Sequence, residues 1–438
     1  MLEHFSVENF KGYEGRYDFD FPGLTYLTGA NNSGKSSVIQ ALYMLASSNS
    51  NNFYATLLTN TTHYNYGSFK DLLNKNCRSS ENIKFDLCWE DLNLSVKYAN
   101  NEIENYNPMI EELRISYMDK NEKYKDYIFK LSQEYNAEYD DCGRNYDLYT
   151  IDNKKEKKLG TSFISGLTPY IHPKKIKDIE LNDLLKLRFL YKNLNTNCIK
   201  YLRAYREEAK QIYRMRGTSI YDIGVAGEYT AEAIYKMSQG NKCISFGNKM
   251  LFMECFQFWF KKIIGNNYSL VVEAPENMLR MKIIEDLSTK VASISQKYDI
   301  TEVGFGFSQI IPIITMILLS NENDILLIEN PEVHLHPKLQ ANLADLFIFA
   351  IKHGRKLIVE THSEHIINRT RTLIKQDKNS KALLEKVNIY FFEKEFIDGE
   401  CFINNQEITI DQIGQLSKWP KDFFDQSYIE NLKLIKWW

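Results

Sequence analysis

The sequence TGANNSGKSS, residues 28–37, contains the pattern G-x-x-x-x-G-K-S without a mismatch. It follows a run that is typical of a strand (24–28) and precedes a run with helical spacing that begins near Lys35. Glycines in such a loop let successive backbone N–H groups converge on an anion, and a helix start adds partial positive charge. The stretch therefore predicts a loop that binds the phosphates of a nucleotide.

Each residue of this loop has an expected role in binding ATP and Mg²⁺. Lys35 would reach the β- and γ-phosphates, and the Ser36 hydroxyl would bind Mg²⁺. The other predicted nucleotide-binding residues of the loop are Gly29, Asn32, Ser33, Gly34 and Ser37. The alternative, a Gly/Asn turn that carries a surface lysine, is disfavoured because strand, spacing and helix all agree.

A second motif supplies the carboxylate that a phosphate loop needs for its metal. The sequence ILLIENPEVHLHP (325–337) begins as an apolar run, typical of a buried parallel strand, and this run ends at Glu329. Ligands bind at the carboxyl ends of strands in open α/β sheets, so Glu329 is the predicted metal-side carboxylate and Glu332 a second acid. A later apolar strand, RKLIVETH, ends at His362, which can touch a γ-phosphate or orient water.

A third motif, VGFGFSQIIPI (303–313), places glycines before a Ser-Gln pair and an apolar helix. The helix start in such a flexible loop could receive an anion. Taken alone this pattern is weak, because Gly-x-Gly pairs are common in turns. The glycines and the polar pair of this motif are Gly304, Gly306, Ser308 and Gln309.

Together, these motifs resemble the ABC-type ATPase heads of the SMC, RecF and OLD group, within the AAA-type ATPases. Their order matches: phosphate loop, long insertion, signature loop, acidic strand and switch histidine. The resemblance implies an α/β fold, with a mixed sheet that carries the phosphate loop, an antiparallel β lobe and a helical insertion. It also implies a head-to-head homodimer in which the signature loop of one copy closes over ATP and Mg²⁺ held by the other. The residues that the resemblance assigns to this signature loop are Gly304, Gly306, Ser308 and Gln309.

Several longer stretches sharpen the resemblance, among them IENPEVHLHPKLQANLADLF, VETHSEHIINR and the late run WPKDFFD (419–425). They resemble one bacterial subfamily that carries a C-terminal domain of unknown function. Members of the wider group serve in anti-phage defence beside a separate nuclease, like the ATPases of the Septu and PARIS systems. The resemblance thus implies a separately encoded nuclease or effector as partner, although family alone does not fix function.

The acidic strand departs from the family pattern at one position. Most ABC heads have Asp-Glu-Pro there, whereas this chain has Glu329-Asn330-Pro331. An amide has no charge that accepts a proton, so Asn330 can orient water but cannot act as a general base. Two interpretations stay open: Glu332 assists catalysis from one step along the chain, or hydrolysis is slow and the ATP-bound dimer is long-lived. Asn330, Glu332 and His362 are the candidate catalytic residues.

The predicted organisation has five segments. They are the N-terminal part of the ATPase head with the phosphate loop (1–100), an antiparallel β lobe (101–172), a helical insertion (173–300), the C-terminal part of the head (301–395) and a tail (396–438).

Charge patterning leaves a contact with DNA open. The net charge is −3, which gives no overall field to attract a polyanion. Residues 173–216, however, contain 12 Lys/Arg against 5 Asp/Glu and have helical spacing. The cations expected on one side of this helix are Arg203, Arg206, Lys210 and Arg214. They favour either an ordinary solvated face or contact with DNA, and the second would suit a RecF-like ATPase that repairs or loads onto duplex DNA.

Other features bound the class of protein. The composition, with 44% hydrophobic and 25% charged residues, is that of a globular protein. The seven cysteines form no CxxC pair and the N-terminus lacks the apolar core of a signal peptide, so we expect a cytoplasmic protein. A transporter motor is a weaker alternative, because no LSGGQ sequence occurs. A transition-metal site is also a weaker interpretation of the acidic motifs and of His334, His336, His362 and His365.

Overall fold

The structure is a computed structural model of the 438-residue chain. It describes residues 1–51, 54–61, 64–78, 81–100, 107–119, 123–132, 145–152, 155–171, 179, 183, 186–217, 221–240, 242–288, 294–397, 400–420 and 433. Most of the run WPKDFFD lies outside these residues.

The chain forms two compact units. The first unit comprises Met1–Phe21, Ala30–Ile199 and Phe392–Asn405, and the second comprises Pro22–Gly29, Lys200–Phe391 and Gln406–Trp438. In chain order the strands are β1 (Leu2–Phe10), β2 (Tyr13–Asp20), β3 (Leu24–Gly29), β4 (Ile83–Trp89), β5 (Leu92–Ala99), β6 (Met109–Met118), β7 (Tyr124–Leu131), β8 (Asn145–Asp152), β9 (Lys155–Ser165), β10 (Thr168–Tyr170), β11 (Ile199–Leu202), β12 (Tyr213–Arg214), β13 (Cys243–Phe246), β14 (Asn248–Leu251), β15 (Tyr268–Glu273), β16 (Met278–Asp286), β17 (Ser295–Asp299), β18 (Ile325–Glu329), β19 (Lys356–Glu360), β20 (Val387–Ile397) and β21 (Glu400–Ile408).

The described helices are divided between the two units. In chain order they are α1 (Lys35–Asn51), α2 (Phe69–Leu72), α3 (Phe189–Asn193), α4 (Thr230–Ser238), α5 (Phe252–Ile264), α6 (Phe305–Leu319), α7 (Pro337–Lys352), α8 (Glu364–Gln376) and α9 (Ser380–Leu384). A short 3₁₀ helix spans Pro275–Asn277.

The first unit is built on a nine-stranded sheet, in the order β10-β9-β8-β7-β6-β5-β4-β1-β2. Each neighbouring pair from β4 to β9 is antiparallel, so these strands form a meander. In strand β5 every second residue from Leu92 is buried and the others are not, as expected for a strand with one face on a core. The sheet joins strands from residues 1–100 to strands from 101–172, so the predicted boundary at residue 100 falls inside one sheet.

The second sheet, in the order β11-β18-β19-β3-β20-β21, includes the strand that leads into the phosphate loop. Strands β18, β19 and β3 are parallel neighbours. All five residues of β18 and all five of β19 are buried, as expected for parallel strands that are covered on both faces. The α/β class with a mixed sheet is therefore confirmed.

Helix α6 forms the centre of the second unit. Its residues from Ser308 to Leu318 are all buried, and such a helix, apolar all round, must lie inside a core. Helix α5 packs against it with an aromatic stripe that includes Phe256 and Phe260. This stripe fixes the helix that carries the signature loop.

The prediction of a helical insertion over 173–300 is wrong in its composition. The described part of that segment contains α3, α4 and α5, but also strands β11 to β17. The run 173–216 shows the reason, because β11 becomes an outer strand of the second sheet and β12 pairs with β16. Pairing with distant strands overrides a helical preference of this size. No helix among the described residues is long and apolar enough to cross a membrane.

Candidate functional site

The phosphate loop begins where β3 ends, at Gly29. Gly29, Asn32 and Gly34 have positive φ angles of 132°, 58° and 97°. Glycine and asparagine adopt such angles most readily, and alternation of left- and right-handed residues turns successive N–H groups to one side. Helix α1 then starts at Lys35, as predicted, and runs on to Asn51.

Lys35 folds back over the loop that precedes it. Its Nζ donates a hydrogen bond to the Ala30 carbonyl oxygen at 2.5 Å and lies 3.5 Å from Ser33 Oγ. Ser33 Oγ itself donates to the same carbonyl at 2.8 Å. Lys35 is only 3% exposed, so the loop holds its ammonium group at a defined place.

Gly34 admits no side chain. A Cβ at this position would lie 2.5 Å from Cδ1 of Ile403 and 3.1 Å from the hydroxyl of Tyr13. The same hydroxyl donates to the Gly34 carbonyl oxygen at 2.9 Å. The second glycine of the loop is therefore required by both backbone conformation and packing.

The carboxyl ends of β3, β18 and β19 meet at one edge of the second sheet. In the parallel registers Glu329 pairs with Glu360, and Glu360 pairs with Leu27. The bonds continue one residue further: Asn330 N donates to the Glu360 carbonyl oxygen at 2.8 Å, and Thr361 N donates to that of Leu27 at 3.0 Å. The acidic motif thus lies at the same edge of the second sheet as the carboxyl end of β3.

Glu329 is held from two directions. Its side chain is 7% exposed, and Oε2 accepts a hydrogen bond from the backbone N–H of Ala204 at 3.1 Å. Its carbonyl oxygen accepts from Nη2 of Arg206 at 2.8 Å. Asn330 follows with a φ of 40°, and its buried Oδ1 has no hydrogen-bond partner among the described residues.

Glu332 joins the acidic motif to the end of β19. One carboxylate oxygen accepts from the Thr361 hydroxyl at 2.8 Å and the other from the backbone N–H of His362 at 2.6 Å. Burial raises the pKa of Glu332, although these hydrogen bonds and the charge of Arg206 act in the opposite direction. His362 lies two residues beyond the end of β19, at an exposed position.

Of the four signature residues, Ser308 and Gln309 are buried and the two glycines are not. Helix α6 starts at Phe305 with Gly304 as its N-cap, and the Ser308 hydroxyl donates back to the Phe305 carbonyl oxygen at 2.8 Å. Gln309 is buried, and its Oε1 accepts from Nη1 of Arg206 at 3.3 Å. Gly304 and Phe305 are exposed, and Gly306 is partly so.

Two of the histidines considered for a transition metal have other contacts. The ring of His334 packs edge-on against Phe305, with centroids 4.8 Å apart. His336 is the N-cap of α7, and its Nδ1 accepts from Lys338 N at 3.3 Å. No group of three or more His, Cys, Asp or Glu side chains within the described ranges could hold a metal ion.

The predicted basic helix face does not exist. Arg203, Arg206 and Lys210 lie on an irregular segment between β11 and β12, and Arg214 belongs to β12. Arg206 is 2% exposed, so it cannot contact DNA as a surface cation. The four residues therefore give no helical surface for a nucleic acid.

Two protein-family models match the chain. The model of the AAA ATPase domain family matches residues 1–223 and 230–367, and that of a protein of unknown function (DUF3696) matches residues 384–434. No curated protein matches the chain.

Solved SMC head structures align over most of the chain at low identity. An SMC head bound to the C-terminal winged-helix domain of ScpA has 14% identity and a TM-score of 0.42, and the match covers 92% of this chain and 97% of that one. The SMC head domain from Thermotoga maritima has 10% identity and a TM-score of 0.36, with 92% and 98% covered. An SMC head from Pyrococcus furiosus with an extended coiled coil, bound to the C-terminal domain of ScpA, has 11% identity, a TM-score of 0.40 and 99% coverage of both chains.

The sequence match is the decisive one, because it spans well over half of the chain and includes residues 28–37, helix α6, strand β18 and His362. The chain belongs to the AAA ATPase domain family.

Proposed function

We propose that this ATPase is a nucleotide-controlled regulator of a separately encoded nuclease or effector in bacterial anti-phage defence. Two copies would bind ATP head to head, hydrolyse it slowly, and present or hide a surface for the partner in the closed state. The observation that supports the proposal is the composition of the sheet edge at which β3 ends. This edge carries Glu329, Asn330, Glu332 and His362. Residue 330 is an amide at the position where a catalytic carboxylate is expected. Slow turnover suits a sensor better than a pump, because the closed state then persists.

The phosphate loop would bind the triphosphate. The left-handed residues Asn32 and Gly34 and the start of the 17-residue helix α1 support this role, since both aim N–H groups at an anion. The ammonium group of Lys35 would move from the Ala30 carbonyl to the phosphates. Ser33 and Ser37 would complete the loop with their hydroxyl and backbone groups.

Magnesium is the metal that suits these residues. A carboxylate from Glu329 and a hydroxyl from Ser36 are hard oxygen ligands, and Mg²⁺ typically takes one or two protein ligands and fills its shell with phosphate oxygens and water. A bound Mg²⁺ would neutralise charge that develops on the phosphates. The hydrogen bond from Ala204 N supports the role of Glu329, because it fixes the direction of the carboxylate.

The opposite face of the nucleotide would be covered by the other copy. We propose that the exposed start of α6, at Gly304 and Gly306, carries the N–H groups for this contact. Ser308 and Gln309 would then act from within, by fixing the first turn of the helix.

Glu332 would assist hydrolysis from its position beside His362. Each of its carboxylate oxygens already accepts one hydrogen bond, but each keeps a further lone pair for a water molecule. Burial raises the pKa of Glu332 and so makes it a stronger base than a surface glutamate.

Restoring a carboxylate at position 330 should raise turnover. For Asn330→Glu we expect ATP hydrolysis about tenfold faster, which is less than the roughly 10²- to 10⁴-fold that a general base contributes in a site built around it. The variant should lose roughly 1–2 kcal/mol of stability, because position 330 has a φ of 40°. The control is Asn330→Gln, which has the same length and the same strain but no charge. Equal turnover in both variants, measured as phosphate release, would remove position 330 from the mechanism.

Removing the charge of Glu332 should trap the closed state. Glu332→Gln on ATP and Mg²⁺ is expected to remain a dimer long after the natural protein has returned to monomer, which light scattering after size-exclusion chromatography would detect. The control is Thr361→Val, which removes one hydrogen bond and keeps the carboxylate. Hydrolysis at the natural rate in Glu332→Gln, or trapping by Thr361→Val alone, would contradict a catalytic role for the carboxylate.

The regulatory role is tested by identifying the proteins that co-purify with this chain. Native purification should recover a nuclease or other effector, and Lys35→Ala should weaken that association. Strong stimulation of ATP hydrolysis by bare duplex DNA, with no protein partner, would instead favour repair or loading on DNA.

A further inference from the structure

Arg206 lies buried between the two motifs that are expected to work on opposite nucleotides. The Nη2 group donates to the carbonyl oxygen of Glu329 at 2.8 Å, and Nη1 donates to Oε1 of Gln309 at 3.3 Å. Both groups also lie 3.4 Å from the carbonyl oxygen of Asn330. One guanidinium group therefore links the first turns of α6 to the end of β18.

Burial of a charged guanidinium group lowers the stability of the fold unless its contacts offset the loss of hydration. Arg206 is 2% exposed, and burial lowers its pKa to about 10, which still leaves it charged at neutral pH. The direct acceptors within the described residues are carbonyl and amide oxygens, and the carboxylates of Glu332 and Glu329 act on it through their charge. Apolar packing usually stabilises a core at least as well as a buried charge, so a gain in stability alone does not explain this residue.

The backbone around Arg206 is fixed on both sides. Ala204 N donates to the Glu329 carboxylate, and Glu207 N donates to the carbonyl oxygen of Ala226 at 2.8 Å. The loop that contains Ala226 touches α6 directly, since a Cβ on Gly227 (φ 78°) would lie 2.9 Å from the ring of Pro312. The segment that carries Arg206 is thus attached both to the acidic strand and to a loop that contacts α6.

We infer that Arg206 is a positioning residue that couples the start of α6 to the metal-side carboxylate Glu329. This inference rests on the proposed function. Nucleotide held by a second copy contacts the start of α6 and shifts the first turn of this helix. Arg206 transmits that shift to the backbone of Glu329 and Asn330. The metal site of each copy then depends on occupancy of the other.

The test compares two buried arginines. Arg206→Lys keeps the charge but loses the planar donor pair, and Arg355→Lys does the same at a control position. Arg355 is 3% exposed and donates to the carbonyl oxygens of Ser320 and Ser245, both at 2.7 Å. It precedes β19, at the end of that strand remote from Glu360. Each variant should therefore lose a similar amount of thermal stability.

The readout is the affinity of the protein–ATP complex for Mn²⁺, measured by electron paramagnetic resonance, with ATP affinity in EDTA as reference. We expect Arg206→Lys to lower Mn²⁺ affinity about tenfold, the scale of lost support to a metal ligand, with unchanged ATP affinity in EDTA. Arg355→Lys should change neither. Gln309→Leu, which keeps Arg206 and breaks only its contact with α6, should abolish the dependence of Mn²⁺ affinity on dimer formation.

The outcomes separate the inference from the function on which it rests. If the natural protein binds ATP and Mn²⁺ but Arg206→Lys matches it, or Arg355→Lys loses as much affinity, the coupling role is overturned and the ATPase role stands. A Gln309→Leu protein with natural coupling between dimer formation and Mn²⁺ affinity would overturn it too. Failure of the natural protein to bind ATP would overturn both.

Discussion

Lys35→Ala should abolish nucleotide binding, with ATP hydrolysis reduced about 100-fold or more, as when a group that stabilises developing charge is removed. Lys35 Nζ donates to the Ala30 carbonyl oxygen and lies 3.5 Å from Ser33 Oγ, so the ammonium group is held within the loop that is proposed to bind phosphate. Its loss should therefore remove much of the affinity for ATP, and thermal melting of the variant would confirm that it remains folded. Binding of a fluorescent ATP analogue and phosphate release would measure the two effects.

The matched control is Lys11→Ala. Lys11 is also partly buried, and its Nζ donates to Gln40 on α1 at 2.5 Å. It lies outside the loop, so its removal disturbs the same helix without removing a phosphate ligand. Natural ATP affinity in Lys35→Ala, or an equal loss in Lys11→Ala, would show that the loop does not bind nucleotide through Lys35.

Glu329→Gln should separate nucleotide binding from metal-dependent chemistry. A glutamine keeps the oxygen that accepts from Ala204 N and the carbonyl that accepts from Arg206, so the local structure should persist. What it loses is the negative charge that binds Mg²⁺. We expect ATP affinity in EDTA to be unchanged and hydrolysis to fall about 100-fold, which corresponds to several kcal/mol of transition-state stabilisation.

The control for this variant lies on the neighbouring strand. Glu360 pairs with Glu329 in the parallel register and is buried to a similar degree. Glu360→Gln removes the same charge at the same edge of the sheet and should change hydrolysis little. If Glu360→Gln is the more damaging variant in a rate assay over a range of Mg²⁺ concentrations, the metal-side carboxylate has been assigned to the wrong strand.

The sequence predicted the parts of the fold whose signals are local. The strands that lead to Gly29, Glu329 and Thr361 lie where their apolar runs placed them. Such runs are local signals that do not depend on distant partners. The prediction of a helix over 173–216 was wrong for the opposite reason. Strands β11 and β12 form through pairing with strands that come much later in the chain.

The candidate site divides in the same way. The sequence predicts Gly34, Lys35 and Glu329 as site residues because each belongs to a motif with fixed spacing. Arg206 and Thr361 were not recognised, since their roles arise from contacts with residues far away in sequence. The charge pattern predicts Arg206 as a surface cation, because a single sequence contains no signal that distinguishes a buried arginine from an exposed one.

The close approach of Ile403 to Gly34 bears on how the protein can be dissected. Ile403 belongs to the segment of unknown function that follows the ATPase domain match, and Tyr17 donates to its carbonyl oxygen at 2.6 Å. Ala30, at the other end of the loop, donates its N–H to the carbonyl oxygen of Phe392 in the same segment at 3.2 Å. The late segment is therefore one wall of the phosphate cradle, and a truncation that ends at residue 384 would open the cradle as well as delete the tail.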